Sequence, residues 1–228
     1  MNPSRPGAAD LYLAAADRLL TTTRAVRRRL DLTRPVDRQL LLDSIAVAQQ
    51  APTGGNSQGW SFVVVTDPGP RAELARLYRE AAGDLFERSR RRAAERGDAQ
   101  TARVYEGAQH LADVLDRVPV HVIPCLRGRL PADRTTNARA AGFYASIFPA
   151  VWNLMLALRA RGLGSALTTV HLAREAEVAE LLGIPDDVSQ VALIPVAHYT
   201  GDSFSPAARP PAETVTHWNG WTGSEAPR

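Results

Sequence analysis

The sequence contains no lysine: all 27 of its basic residues are arginine. No lysine Schiff base can form, and a bound phosphate must be held by guanidinium or backbone N–H groups. There is one cysteine, Cys125. An internal disulfide and a cysteine-rich zinc module are thereby excluded, which fits a reducing compartment, and a cytoplasmic protein is expected. His110, His121, His171, His198 and His217 show no metal-ligand spacing, so no metal site is expected. The first ten residues, MNPSRPGAAD, lack the apolar run of a secretory signal. Net charge is only +3 and no aromatic-basic motif accompanies it, so nucleic acid is not an expected partner.

What is present suits a globular chain. Apolar residues make up 45% of 228 positions, enough for a sizeable core. Apolar spacing predicts helices over 9–22, 37–50 and 173–183, the last ended by Gly183 and Pro185. A further helix should follow the DPGP turn and run to about Ala82, and residues 83–118 are charged and helix-prone. Strands are expected at SFVVVT (61–66), VHVIPCL (120–126) and VSQVALIPVAHYT (188–200). Residues 140–161 read as one long helix, apolar nearly all round. Pro149, Asn153, Arg159 and Arg161 argue against a membrane span, and a helix apolar on every side is usually core. Three strands among many helices indicate one α+β domain.

Four stretches carry chemistry, and each has a plain structural alternative. TRAVRRRLDLTRPVD (23–37) holds Arg24, Arg27, Arg28 and Arg29. Either it is a solvated basic helix end, or Arg24 and Arg27, three apart on a helical turn, share one phosphate. APTGGNSQGW (51–60) is too polar and Gly-rich to fold alone, yet it joins two apolar elements. It is either a connector or a loop built to lie against something flat and polar. In extended chain Asn56 and Gln58 would point to one side and read a ring edge that alternates donors and acceptors, while Gly54 and Gly55 admit close approach. GLGSALTT (162–169) ends a helix, or presents backbone N–H groups from Leu167 to Thr169. The fourth is Arg209 in AARPPAET, which on its own reads as a surface residue.

In order and spacing, these stretches closely resemble the flavin-dependent nitroreductase family over roughly residues 20–220. The APT-x-x-N-x-Q-x-W loop and the arginine segment before it carry most of the likeness. The resemblance implies a central, mainly antiparallel sheet flanked by helices in an intertwined homodimer, with two FMN sites at the interface. It implies an N-terminal helical extension over 1–22, the FMN domain over 23–220 and a short tail over 221–228. Arg24, Arg27 and Arg28 would hold the FMN phosphate beside the Ala25 and Val26 backbone, and Arg209 would add a guanidinium. Pro52, Thr53 and Gly54 would line the isoalloxazine and ribityl, with Asn56 and Gln58 bonded to the ring or ribityl. Leu167, Thr168 and Thr169 would flank the redox-active edge, a backbone N–H near N5. The helix around Phe148 to Leu158 would be dimer core. NADPH or NADH would be the donor, a nitroaromatic, quinone or similar small molecule the acceptor, and no side chain a dedicated acid or base.

Departures accompany the likeness. The arginine pair that often opens the motif is Thr23-Arg24, the small polar residue after it is Ala25, and Gln-Pro-Trp is Gln58-Gly59-Trp60. The acidic-tyrosine lid of the deiodinase branch is replaced by Ala82 and Phe86. The arginine-rich run 88–96 falls where relatives cover the flavin, which makes Phe86 a candidate substrate lid. Alternatives of the same fold are a flavin-dependent dehydrogenase, oxidase or ene-reductase, and a flavin-binding protein without turnover. Cys125 reads as a small buried hydrophobe, and His171 as a local hydrogen-bond partner.

Overall fold

The computed structural model describes residues 8–131 and 133–221. In chain order the elements are α1 (Ala8–Thr22), α2 (Arg38–Ala48), β1 (Trp60–Val65), α3 (Pro68–Ala82), α4 (Leu85–Glu95), α5 (Ala99–Val114), β2 (Val120–Arg127), α6 (Asn137–Ala145), α7 (Phe148–Ala160), β3 (Leu163–Ser165), α8 (Glu175–Leu182), β4 (Val188–Gln190) and β5 (Ile194–His198). One compact unit, Thr23–Asp202, contains the whole sheet. Residues 203–221 group with α1 in a second unit, although the sequence alone assigned 203–220 to the sheet domain. Apart from Trp221, the expected tail lies outside the described residues.

The sheet runs β1-β2-β5-β3, with β4 also on β2, and every pairing is antiparallel. β2 is its centre and is buried from Val120 to Leu126. The expected single strand 188–200 is two strands, and Pro124 supplies a reason. β2 pairs β5 at Val120–Val122 and β4 at Cys125–Arg127. Between these ladders Ile123 and Pro124 face three residues, Val191, Ala192 and Leu193. A proline has no N–H for a second neighbour, so the partner chain bulges there. Val191 still donates to the Pro124 carbonyl at 3.0 Å, while Leu193 turns away and exchanges hydrogen bonds with Thr168 at 2.8 and 3.0 Å. The bulge thus fixes the loop that follows β3.

The expected long helix 140–161 is also two elements. It breaks at Ser146–Ile147, just before Pro149 in the first turn of α7. Proline lacks the N–H that a helix interior needs and suits a helix start. Beyond the break, α7 buries Ala150, Val151, Leu154, Met155, Ala157 and Leu158. Many of these pack with Leu41 and Ala48 of α2 and with Val120, Val122, Ile194 and Val196 of the sheet. The opposite face is left with Trp152 exposed, and Tyr144 is exposed on α6. α2 begins at Asp37, whose carboxylate accepts from the Gln39 N–H at 2.7 Å. α8 ends as expected, at Gly183 with φ 63°.

Candidate functional site

The arginine segment is not helical. Its backbone is tied to two strands instead. Ala25 forms a parallel bridge with Ser165, and the Val26 N–H donates to the Ser165 carbonyl at 2.8 Å. Leu30 bridges Tyr199, with Asp31 N on His198 O at 2.7 Å and Thr200 N on Arg29 O at 2.8 Å. Val26 and Leu30 are buried. They come so close to Gly164 that an added Cβ would lie 3.0 Å from Val26 and 3.3 Å from Leu30. The expectation that Arg24 and Arg27 share a face of a helical turn is therefore overturned. Strand pairing and the burial of Val26 and Leu30 override local helix preference.

The four arginines consequently have different surroundings. Arg29 donates through Nε to the Thr200 carbonyl at 2.6 Å and lies over the Tyr199 ring. Arg28 is exposed and pairs with Glu106 of α5 at 3.3 Å. Arg24 is exposed. Arg27 is half-buried, its stem against Gly107 of α5, and burial lowers its pKa from the ordinary value. Tyr78 of α3 is its electrostatic neighbour, and Arg27 makes no ion pair among the described residues. A guanidinium that has lost hydration without gaining a carboxylate is prepared for an external anion.

Loop 167–169 adjoins this segment because it follows Ser165 directly. Thr168 is anchored at its backbone by Leu193 and at its hydroxyl by the Tyr78 hydroxyl, 3.0 Å away. Its N–H is spent on Leu193, so an N–H for a ligand falls to Leu167 or Thr169, both exposed. Behind the loop His171 is fully buried, and neither ring nitrogen has a hydrogen-bond partner among the described residues. It is therefore not the local hydrogen-bond partner that its position suggested. Burial pushes its pKa down to about 4.

Loop 52–58 is built by different means. Pro52 is exposed. Thr53 accepts from Asn56 N through its carbonyl at 3.1 Å and from Gln58 N through its hydroxyl at 3.2 Å. Gly55, Asn56 and Gln58 have φ of 59°, 53° and 47°. Two non-glycine residues in the left-handed region within three positions store strain of the kind found at ligand clamps. Asn56 and Gln58 do come together, through this turn and not through extended chain: Gln58 Nε2 donates to Asn56 Oδ1 at 2.9 Å. Gln58 Oε1 and the Asn56 amide nitrogen remain as an acceptor and a donor. Ser146, at the helix break, holds the loop by accepting from Gly54 N at 3.2 Å.

The two halves do not meet within one chain. Loop 52–58 leads into β1, one edge of the sheet; Arg24–Arg28 and loop 167–169 lie along β3, the other edge. Three strand spacings, roughly 14 Å, separate those edges.

Residues 20–198 match the model of the nitroreductase family. The chain belongs to that family. Members are flavin oxidoreductases, and the antiparallel sheet flanked by helices is the nitroreductase fold. A curated relative, the iodotyrosine deiodinase of Thermotoga neapolitana, is 27% identical over 158 residues, covering 69% of this chain and 75% of the relative. Among solved structures, an iodotyrosine deiodinase bound to FMN and 3-iodo-L-tyrosine superposes with a TM-score of 0.67 at 21% identity, over 89% of this chain and 98% of that one. Nitroreductase A from Vibrio parahaemolyticus gives 0.65 at 16% identity, over 91% and 76%.

Within this nitroreductase fold Phe86 is buried against Tyr78, ring centroids 6.4 Å apart. Arg209 belongs to the second unit and donates to the Ala208 carbonyl at 3.0 Å. Sequence reasoning passed over Tyr78, Ser146 and Ser165, and read Gly164 only as a possible helix stop.

Proposed function

We propose that the protein is a homodimeric, FMN-dependent NAD(P)H oxidoreductase that reduces nitroaromatics, quinones or similar small acceptors. The observation that carries this reading is the half-buried Arg27, without an ion pair among the described residues and set on the sheet edge beside loop 167–169. When bound, FMN supplies a ring that takes two electrons as hydride from NADPH or NADH and passes them to the acceptor in ping-pong fashion. The chain supplies binding and orientation. Arg27 and Arg24 hold the phosphate by charge-assisted hydrogen bonds, strengthened at Arg27 by prior desolvation. Arg28 is given a secondary place because Glu106 already engages it. Pro52, Thr53 and Gly54 pack on the ring, while Gln58 Oε1 and the Asn56 amide meet its polar edge. Leu167 or Thr169 donates an N–H to the reacting edge. No side chain here is assigned as an acid or base.

The separation of loop 52–58 from the arginine segment supports dimerisation, since a second copy would bring one chain's loop to the other's arginines. The exposed Tyr144 and Trp152 suit that contact. The deiodinase relatives favour a second reading, reductive dehalogenation of an aromatic. Against it stand buried Ala82 and Phe86, where the deiodinase branch carries its acidic-tyrosine lid. Stopped-flow mixing with NADPH, then with a nitroaromatic, a quinone or a halophenol, separates the readings by which acceptor reoxidises the flavin fastest. If NADPH and NADH both fail to reduce bound FMN, the oxidoreductase assignment fails.

A further inference from the structure

Tyr78 has no part in the assignments above, yet α3 buries it completely beside both halves of the arginine edge. Its ring faces Phe86, its hydroxyl lies 3.0 Å from Thr168 Oγ1, and Arg27 is its charged neighbour. The Thr168 hydroxyl also accepts from the Val170 N–H at 3.4 Å. A threonine hydroxyl has two lone pairs and one proton. A phenol is the stronger acid and the natural donor to an alcohol. With Val170 N–H and Tyr78 O–H both donating, the lone pairs of Thr168 Oγ1 are filled and only its proton is left to give. Thr168 is half-buried, with exposed Leu167 and Thr169 on either side.

Resting on the FMN reading, we infer that Tyr78 is a positioning residue: it makes Thr168 an obligate hydrogen-bond donor to the bound cofactor. Reduction makes the flavin edge richer in electrons, so a fixed donor favours reduced FMN over oxidised FMN.

The test is a double-mutant cycle of Tyr78→Phe and Thr168→Val on the full chain, with binding of oxidised FMN and of dithionite-reduced FMN measured separately. Loss of one hydrogen bond should lower the preference for reduced FMN about threefold to tenfold in either single variant. The double variant should lose no more than a single one, and Thr168→Ser should keep the wild-type preference. A merely structural Tyr78 would lower the melting temperature and leave the preference unchanged. An unchanged preference in Tyr78→Phe, or additive losses in the double variant, overturns the proposal while the FMN reading stands. A wild-type protein that binds no FMN overturns both.

Discussion

Three neighbouring arginines should answer to substitution in three different ways. Arg27 is half-buried with no counter-ion among the described residues, and Arg27→Met keeps its apolar stem against Gly107 while deleting the charge. The cofactor-free protein should be as stable as wild type or slightly more so, because a poorly solvated cation has gone. FMN affinity should fall, since a charge-assisted contact to phosphate contributes about 1.5–3 kcal/mol, which is about 10- to 150-fold. Arg29→Ala should do the reverse. It strips a 2.6 Å hydrogen bond from Thr200 and a ring contact from Tyr199 at the end of β5, costing about 1.5–3 kcal/mol of stability with little change in FMN affinity. Arg28→Ala breaks only an exposed ion pair with Glu106 and should sit near wild type in both respects. Urea denaturation of the apo-proteins gives the stabilities, and FMN titration followed by flavin fluorescence gives the affinities. The reasoning is refuted if Arg27→Met destabilises the apo-protein by more than about 1 kcal/mol while binding FMN normally.

Other parts of the account are open to separate tests. Gly164→Ala should cost about 1–3 kcal/mol, because Val26 Cβ would stand 3.0 Å from the new methyl and belongs to a paired segment, and FMN binding should weaken with it. Gln58→Gly should leave stability equal or higher by up to about 1 kcal/mol, as φ 47° suits glycine, yet lower FMN affinity. His121 and His171 are both pushed by burial from 6.5 down to about 4. The unfolded chain therefore takes up protons below pH 6.5 that the folded chain refuses until about 4, and stability falls as pH drops through that window. Each histidine should contribute about 2.5 kcal/mol to the fall, read as urea midpoints between pH 7.5 and 4.5. His171→Leu should abolish roughly half of that pH dependence; a variant with the wild-type slope would rule His171 out.

The parts of this molecule that a sequence reader finds easily are those where local pattern and tertiary structure agree. Capped α2, the Gly183 stop of α8 and the apolar runs of β1 and β2 are of this kind. The misread parts are those where a distant partner decides. Arg24 to Arg29 look helical alone, but bridges from Ala25 to Ser165 and from Leu30 to Tyr199, with Val26 and Leu30 packed over Gly164, hold the segment out of a helix. The breaks at Ser146 and at Val191–Leu193 each have a proline nearby, Pro149 in the same run and Pro124 on another strand. Each shapes a loop of the candidate site, one by seating Gly54 and the other by holding Thr168. Asn56 and Gln58 were legible as a pair, but the left-handed backbone that joins them was not, since neither residue type requires it.

The central claim is that this chain binds FMN and reduces it with a nicotinamide. The absorbance spectrum of the purified protein, recorded anaerobically before and after NADPH, tests it most directly. Flavin bands corresponding to about one FMN per chain, bleached by NADPH and restored by a quinone or nitroaromatic, are the predicted result. A colourless protein that takes up no FMN on reconstitution would contradict it.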